Sequence, residues 1–214
     1  MYGGIIHILE NLKVKNIITS KQKQNNEYLD RVLEIAQDKM INVIVVKAGD
    51  KIKLDSKTYF DILWPDSNLI QENSTNNNSI VANIIFNDFK MLFTGDIEQI
   101  SENKIVQKYQ GTNKLKSSIL KIAHHGSKTS TTQEFLNSVK PKIALIGVGI
   151  NNKFDHPNLE VLERLYKCDS RIYRTDQNGE VKIIVNERGI IKIKKTYRLK
   201  VMYKNTNSTN NKKK

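Results

Sequence analysis

Cysteine occurs once in the 214 residues, as Cys168, which excludes an intrachain disulfide and a cysteine-built zinc cluster and leaves an ordinary buried or half-buried thiol. No apolar run approaches the roughly 18 residues of a membrane span. The N-terminus has no basic stretch followed by an apolar core and a small-residue cleavage site. As an isolated chain it is therefore expected to be soluble and cytoplasmic. There is no His-x-His-x-Asp-His run, so any metal site built here is expected to lack partners. Aromatic residues are not clustered as they are in a dedicated single-strand binder.

Acidic residues are also absent from position 191 onward, while Lys192, Lys194, Lys195, Arg198, Lys200, Lys204, Lys212, Lys213 and Lys214 all lie there. Of the net charge of +13, that segment carries +9 and the first 190 residues carry +4. The charge is a property of the tail more than of the body. Such a tail could contact DNA or an anionic membrane surface; a lysine- and asparagine-rich end also reads as a solvated, disordered extension. We divide the chain into a domain over 1–196 and a basic tail over 197–214, with no internal repeat.

The length suits one domain with a sizeable core. Residues 4–12 carry Ile5, Ile6, Ile8, Leu9 and Leu12 largely on one helical face, followed by a short buried strand over 14–18. Tyr28, Leu29, Val32, Leu33 and Ile35 repeat the helical period over 26–38, and residues 41–46 form a continuous apolar strand ended by Gly49-Asp50. Strand, helix, strand implies a parallel arrangement. Short strands follow over 51–54, 59–63, 79–86 and 89–94, the last two joined by Asn87-Asp88 in a tight hairpin. Residues 66–78 are polar and asparagine-rich and read as an exposed loop. A helix over 97–109 comes next. Strand and helix then alternate as strand 119–123, helix 133–139, strand 142–148, helix 158–166 and strand 171–174. Thr131 and Glu134 fit a capping box for the helix at 133. A hairpin, 181–185 with 190–194, closes the body. The fold class is α/β with two mixed sheets covered by helices.

Three places carry chemistry. Thr94-Gly95-Asp96 ends an apolar strand with a glycine and a carboxylate before a helix; Asp96 either projects into a cleft to hold cations or simply caps the helix. His124-His125-Gly126-Ser127 puts two imidazoles after an apolar strand, where they leave in opposite directions, one toward a metal and one toward substrate. An imidazole titrates near neutral pH, which suits proton transfer. Ser127, Lys128, Thr129 and Ser130 could hold a phosphate or merely shape a turn. His156 sits in a loop just before Pro157, which suits the first turn of the following helix. His7 lies in the first helix and reads as structural.

Taken in order, Asn77-Asn78-Ser79-Ile80-Val81, Leu92-Phe93-Thr94-Gly95-Asp96, Leu120-Lys121-Ile122-Ala123-His124-His125-Gly126-Ser127, Val148-Gly149-Ile150-Asn151-Asn152 with His156-Pro157, and Tyr173-Arg174-Thr175-Asp176-Gln177-Asn178-Gly179 resemble the metallo-β-lactamase-type domain of the ComEC family of DNA-internalization competence proteins. The resemblance runs from residue 2 to about residue 194. It implies a metallo-β-lactamase αββα sandwich, a divalent metal centre holding zinc or manganese, and a hydrolase or nuclease-like role in DNA uptake. It makes Asp96 and His125 metal ligands and His124 and His156 catalytic or substrate-orienting groups. Asn78, Ser127 and Lys128 become substrate contacts, and single-stranded DNA the partner. Asp155 stands where the family commonly has glycine before the later histidine.

The resemblance also implies a front segment rich in His and Asp that ends at a Gly-Gly opening a helix, which Tyr2-Gly3-Gly4 matches. On this reading the fold is N-terminally truncated and lacks its primary metal ligands, its first strands and the family's membrane channel part, so metal binding and hydrolysis by this chain alone are expected to be weak. The family's domain is attached to the cell membrane. Two other readings remain open: half of a small metallo-hydrolase acting on a phosphodiester or lactone, and a non-enzymatic DNA- or partner-binding remnant.

Overall fold

Apolar residues at helical spacing near the front of the chain fold into two packed helices, α1 (Ile5–Asn11) and α2 (Glu27–Asp38), in a computed structural model that describes residues 4–21 and 27–196. Leu9 from α1 and Val32, Ile35 and Ala36 from α2 close a small core with Ile41. β1 (Asn16–Ser20) and β2 (Asn42–Val46) pair in parallel from Asn16↔Asn42 to Ser20↔Val46, the expected strand, helix, strand unit. β1 lies two residues later than the sequence places it. It is also only partly buried, and in β2 only Val46 is buried.

The main sheet contains seven strands: β3 (Lys51–Lys53), β4 (Thr58–Trp64), β5 (Val81–Phe86), β6 (Phe89–Phe93), β7 (Ile119–Lys121), β8 (Ile143–Ile146) and β9 (Arg171–Arg174). They lie side by side in chain order. The pairs from β3 to β6 are antiparallel and those from β6 to β9 are parallel. Asn87, at φ 51, makes the tight β5–β6 turn as expected. The parallel half needs crossover helices. These are α4 (Gln99–Lys108), α5 (Gln133–Val139) and α6 (Leu159–Lys167), after a single short turn of helix, α3 (Ser74–Asn77), earlier in the chain. Leu92, Ile105, Leu120, Phe135, Leu136, Val161 and Leu165 pack into one core. Each such apolar side chain contributes on the order of 1.5–3 kcal/mol by leaving water. A one-turn helix, α7 (Thr175–Asn178), follows β9, and β10 (Val181–Val185) with β11 (Ile191–Lys195) forms the closing antiparallel hairpin.

The class is therefore mixed α/β with mixed sheets, but the described residues form three sheets where two were expected. Residues 66–78 also depart from expectation. They contain α3, and Ile70, Ser74, Asn77 and Asn78 are buried. The asparagines that make this stretch look solvated act instead as internal hydrogen-bond partners. Asn78 Oδ1 accepts from Ile70 N–H, and its Nδ2 donates to the carbonyls of Ile70 and Ser74.

Two caps are shifted. Thr132, not Thr131, caps α5 by accepting from Phe135 N–H, since Thr131 is held at φ 59. Asn158 caps α6, so Pro157 precedes the helix instead of opening its first turn. His7 is exposed, with Nδ1 3.1 Å from Asn11 Nδ2. The basic tail over 197–214 lies outside the described residues.

Candidate functional site

Parallel pairing brings the chemistry together. In register, Phe93 of β6 lies beside Lys121 of β7, which lies beside Leu145 of β8. The segments leaving the carboxyl ends of these strands therefore emerge at one edge, where open α/β sheets place ligands. From β6 comes Asp96, from β7 His124 and His125, and from β8 Gly147.

The β6 exit is a turn set by buried contacts. Thr94 is fully buried and its hydroxyl donates to the Lys121 carbonyl at 2.6 Å. Gly95 has φ 52, and a side chain there would bring Cβ within 2.6 Å of Ser79 Cβ, so the position requires glycine twice over. Asp96 N–H donates to Ser79 Oγ at 3.3 Å, and Gly95 O accepts from His124 N–H at 3.1 Å. Helix α4 is entered at Glu98, so Asp96 is not the helix cap. The Asp96 side chain is partly exposed.

β7 ends at Lys121, and a short 3-10 turn, Ala123–Gly126, carries the histidines. His124 (φ 47) and His125 (φ 56) are both left-handed, so the alternation expected of a strand is lost. Left-handed backbone costs on the order of 1–3 kcal/mol per residue and persists where surrounding contacts over-determine it. Each imidazole instead meets a carboxylate. His125 Nε2 lies 3.7 Å from Asp96 Oδ1, and His124 Nδ1 lies 3.5 Å from Glu98 Oε1. The other nitrogen of His125, Nδ1, is 2.6 Å from the Gly147 carbonyl. A carbonyl can only accept, so in the neutral ring Nδ1 carries the proton and Nε2 keeps its lone pair toward Asp96.

His156 completes the edge. Its ring meets that of His124 edge-on at 5.9 Å between centroids and stacks on Phe154 at 5.8 Å. Asn152 holds this loop, accepting from His156 N–H at 2.9 Å and donating to His156 O at 2.8 Å. Asp155, where glycine is common in the family resembled, has φ 51, a conformation that aspartate tolerates. Gly126 (φ 87) lies against Pro157, and its carbonyl accepts from Asn158 N–H at 2.9 Å, tying this loop to the histidine turn. Burial, followed by the neighbouring His124 and His125 imidazoles, holds the His156 pKa below its ordinary value of 6.5. Lys121, beneath the site, is likewise lowered by burial, with Asp96 opposing the shift; its Nζ donates to the Ile122 carbonyl at 2.9 Å.

The structure thus brings Asp96, His124, His125 and His156 to one edge. Lys128, three positions after His125 in the chain, is exposed. Asn78 and Ser127 are different. Asn78 is buried with its side chain engaged by residues 70 and 74, leaving no face for a substrate. Ser127 is buried, with its hydroxyl 3.1 Å from Thr129 Oγ1 in the turn. Glu98 was missed. A second carboxylate two positions after Asp96 was the available signal, but its partner is visible only once β6 and β7 are paired. Among the described residues, no group of three or more His, Cys, Asp or Glu is placed to hold a metal ion. No helix among them is long and apolar enough to cross a membrane.

The chain is 32% identical over 174 residues to ComE operon protein 3 of Bacillus subtilis, covering 81% of this chain and 22% of that protein. It is homologous to the ComEC competence proteins. Competence protein ComA of Neisseria gonorrhoeae is 33% identical over 126 residues, covering 59% of this chain and 17% of ComA. Recombination protein 2 of Haemophilus influenzae is 33% identical over 125 residues, 58% of this chain and 15% of that protein. This agrees with the ComEC resemblance of the motif strings. The chain spans only 15% to 22% of the length of these relatives. No protein-family model matches it. A solved structure from Parabacteroides distasonis, named as a metal-dependent hydrolase, aligns with a TM-score of 0.46 at 14% identity, covering 77% of this chain and 78% of that one.

Proposed function

We propose that this ComEC homologue forms part of a metallo-β-lactamase-type domain that hydrolyses phosphodiester bonds of DNA during uptake. The observation that carries this reading is the paired geometry of Asp96 and His125. A carboxylate oxygen and an imidazole nitrogen from the exits of adjacent parallel strands stand 3.7 Å apart, and in the neutral ring the Gly147 carbonyl takes the Nδ1 proton and leaves Nε2 its lone pair. That donor set fits a divalent ion, zinc or manganese, with Asp96 and His125 as ligands. A hydrolytic site takes about three protein ligands, so further ligands would come from outside the described residues. When bound, the ion supplies Lewis acidity, which polarises a phosphoryl oxygen and makes water more acidic.

The remaining roles belong to this chain's own side chains. His156, whose pKa is held below its ordinary value, orients the scissile phosphate by donating its N–H to a phosphoryl oxygen or takes a proton from the attacking water. His124 shares that face. Lys128 offers a cation to the phosphate backbone, and the basic end of the chain, with +9 over 191–214 counting the lysines of β11, strengthens attraction to single-stranded DNA.

The test is calorimetric titration of the purified chain with zinc and with manganese. Stoichiometric binding that disappears in both Asp96→Ala and His125→Ala supports the reading; binding unaffected by either change, or none at all, removes this pair as a usable half-site. The charge favours a second reading, a metal-independent DNA-binding module. Steeply salt-dependent DNA binding that needs no metal and is lost on removing residues 195–214 would select it.

A further inference from the structure

We infer that Glu98 is a positioning residue that orients His124 through Nδ1, while the Asp96 carboxylate two positions earlier faces the opposite nitrogen, Nε2, of the adjacent His125. The inference deepens the hydrolase reading and rests on it for its functional meaning. Its structural content stands on three observations.

The first is the pairing itself. The two carboxylates lie two positions apart on the β6 exit and the two imidazoles are adjacent on the β7 exit; each carboxylate faces a different ring, Asp96–His125 at 3.7 Å and Glu98–His124 at 3.5 Å. The second is burial. His124 Nδ1 is a buried atom with no hydrogen-bond partner, and Glu98 Oε1 is the acidic atom that faces it. A buried nitrogen left unpaired is destabilising. At 3.5 Å the pair stands at the outer limit of a hydrogen bond, and catalytic hydrogen bonds are often long before substrate binds.

The third is the scaffolding of Glu98. Its Oε1 accepts from Thr129 Oγ1 at 3.3 Å, its Oε2 lies 3.5 Å from Asn77 Nδ2, and its N–H donates to Asn77 Oδ1 at 3.1 Å. With both oxygens addressed by neutral donors, the carboxylate is held in place, and Oε1 faces His124 Nδ1. A carboxylate can only accept, so it selects the ring form with the proton on Nδ1 and leaves the lone pair on Nε2. His125 reaches the same form by a different route, through the Gly147 carbonyl. Both imidazoles are then presented alike, one to a metal and one to substrate.

Ring-nitrogen chemical shifts of the isotope-labelled, metal-free chain, recorded where the imidazoles are neutral, test this directly. The expected result is a majority of the Nδ1–H form at both His124 and His125. Glu98→Ala should shift His124 to a majority of the Nε2–H form while His125 keeps Nδ1–H. Thr129→Ala, which removes a contact to Glu98 but leaves the carboxylate, should keep the Nδ1–H form at His124. A wild-type His124 already in the Nε2–H form overturns the proposal without any variant. So does a Glu98→Ala chain whose His124 is unchanged, or one in which both rings shift together. Because neither metal nor DNA is present, failure of the hydrolase reading leaves these outcomes untouched, and their failure leaves metal binding untouched.

Discussion

Val43, Ile44 and Val45 of β2 are 38%, 42% and 59% exposed, whereas Ile119 and Leu120 of β7 are at 0% and 1%. Both segments are short, apolar strands, and read from sequence alone they look equivalent. The difference is in what surrounds them. β7 is paired on both edges, by β6 and β8, and lies within the core that includes Phe135, Leu136 and Val161. Among the described residues β2 pairs only with β1, and parallel strands ordinarily have both faces covered. A groove of about 370 Å³, lined in part by Ile17, Val32, Val43 and Ile80, runs from this unit to Gly95 at the candidate site. Apolar composition drives strand formation; burial is conferred by neighbours.

The sharpest way to break the comparison is to truncate one side chain in each region. Leu120→Ala should cost about 2–5 kcal/mol in chemical denaturation. Val45→Ala should cost no more than about 0.5 kcal/mol, as at other exposed positions. Equal losses would show that β2 is covered in solution. Glycines give a second contrast. Gly126→Ala meets Pro157 Cβ at 2.6 Å in a left-handed backbone, while Gly49, after β2, has φ 101 but open space. The first change should cost about 3 kcal/mol, with overpacking added to backbone strain, and the second about 1 kcal/mol.

Glu102 sharpens the account of the interior around the site. It is fully buried and its carboxylate accepts from the backbone N–H groups of Thr131 and Thr132, clamping the segment that follows the histidine turn. Glu102→Gln turns an amide N–H toward one of those donors and should cost roughly 1–3 kcal/mol. Burial, the dominant influence, raises the Glu102 pKa above its ordinary value of 4.5, against the opposing backbone donors. The folded chain therefore holds this proton more tightly than the unfolded chain. This group's contribution to stability is greatest below the ordinary carboxylate range and falls as pH rises through the raised folded value. Denaturation midpoints measured across that window should slope downward, and the slope should flatten in Glu102→Gln.

Smaller effects distinguish neighbouring threonines. Thr132→Ala should lose about 1 kcal/mol by removing the α5 cap. Thr131 Oγ1 is buried without a partner, so Thr131→Val should be neutral or mildly stabilising in the same denaturation assay. Smallest is the titration of His156. Its ring-proton midpoint, followed by NMR, should lie below 6.5, and Phe154→Ala, which opens the ring to water, should move it upward.

Much of the candidate site was legible before folding. Asp96, His124, His125 and His156 stood out because carboxylate and imidazole side chains followed apolar strands, and the structure brings all four to one edge. Asn78 and Ser127 were legible only as polar residues near the motif; folding directs both inward. Glu98 was passed over because nothing local distinguishes it from any acid at a helix start. The asparagine-rich stretch before β5 misled for a related reason. Composition reports affinity for water, but a buried asparagine can take the place of water for the backbone, as Asn78 does for residues 70 and 74.

By itself, the sequence determined the kinds and order of elements, since the periods of helix and strand are local, and it named the groups capable of chemistry. Which apolar strands are buried, which carboxylate faces which imidazole, and why both histidines adopt left-handed backbone were decided by tertiary structure. Those outcomes depend on the parallel register of β6, β7 and β8, whose contacts join residues more than twenty positions apart in the chain. No local pattern encodes that register.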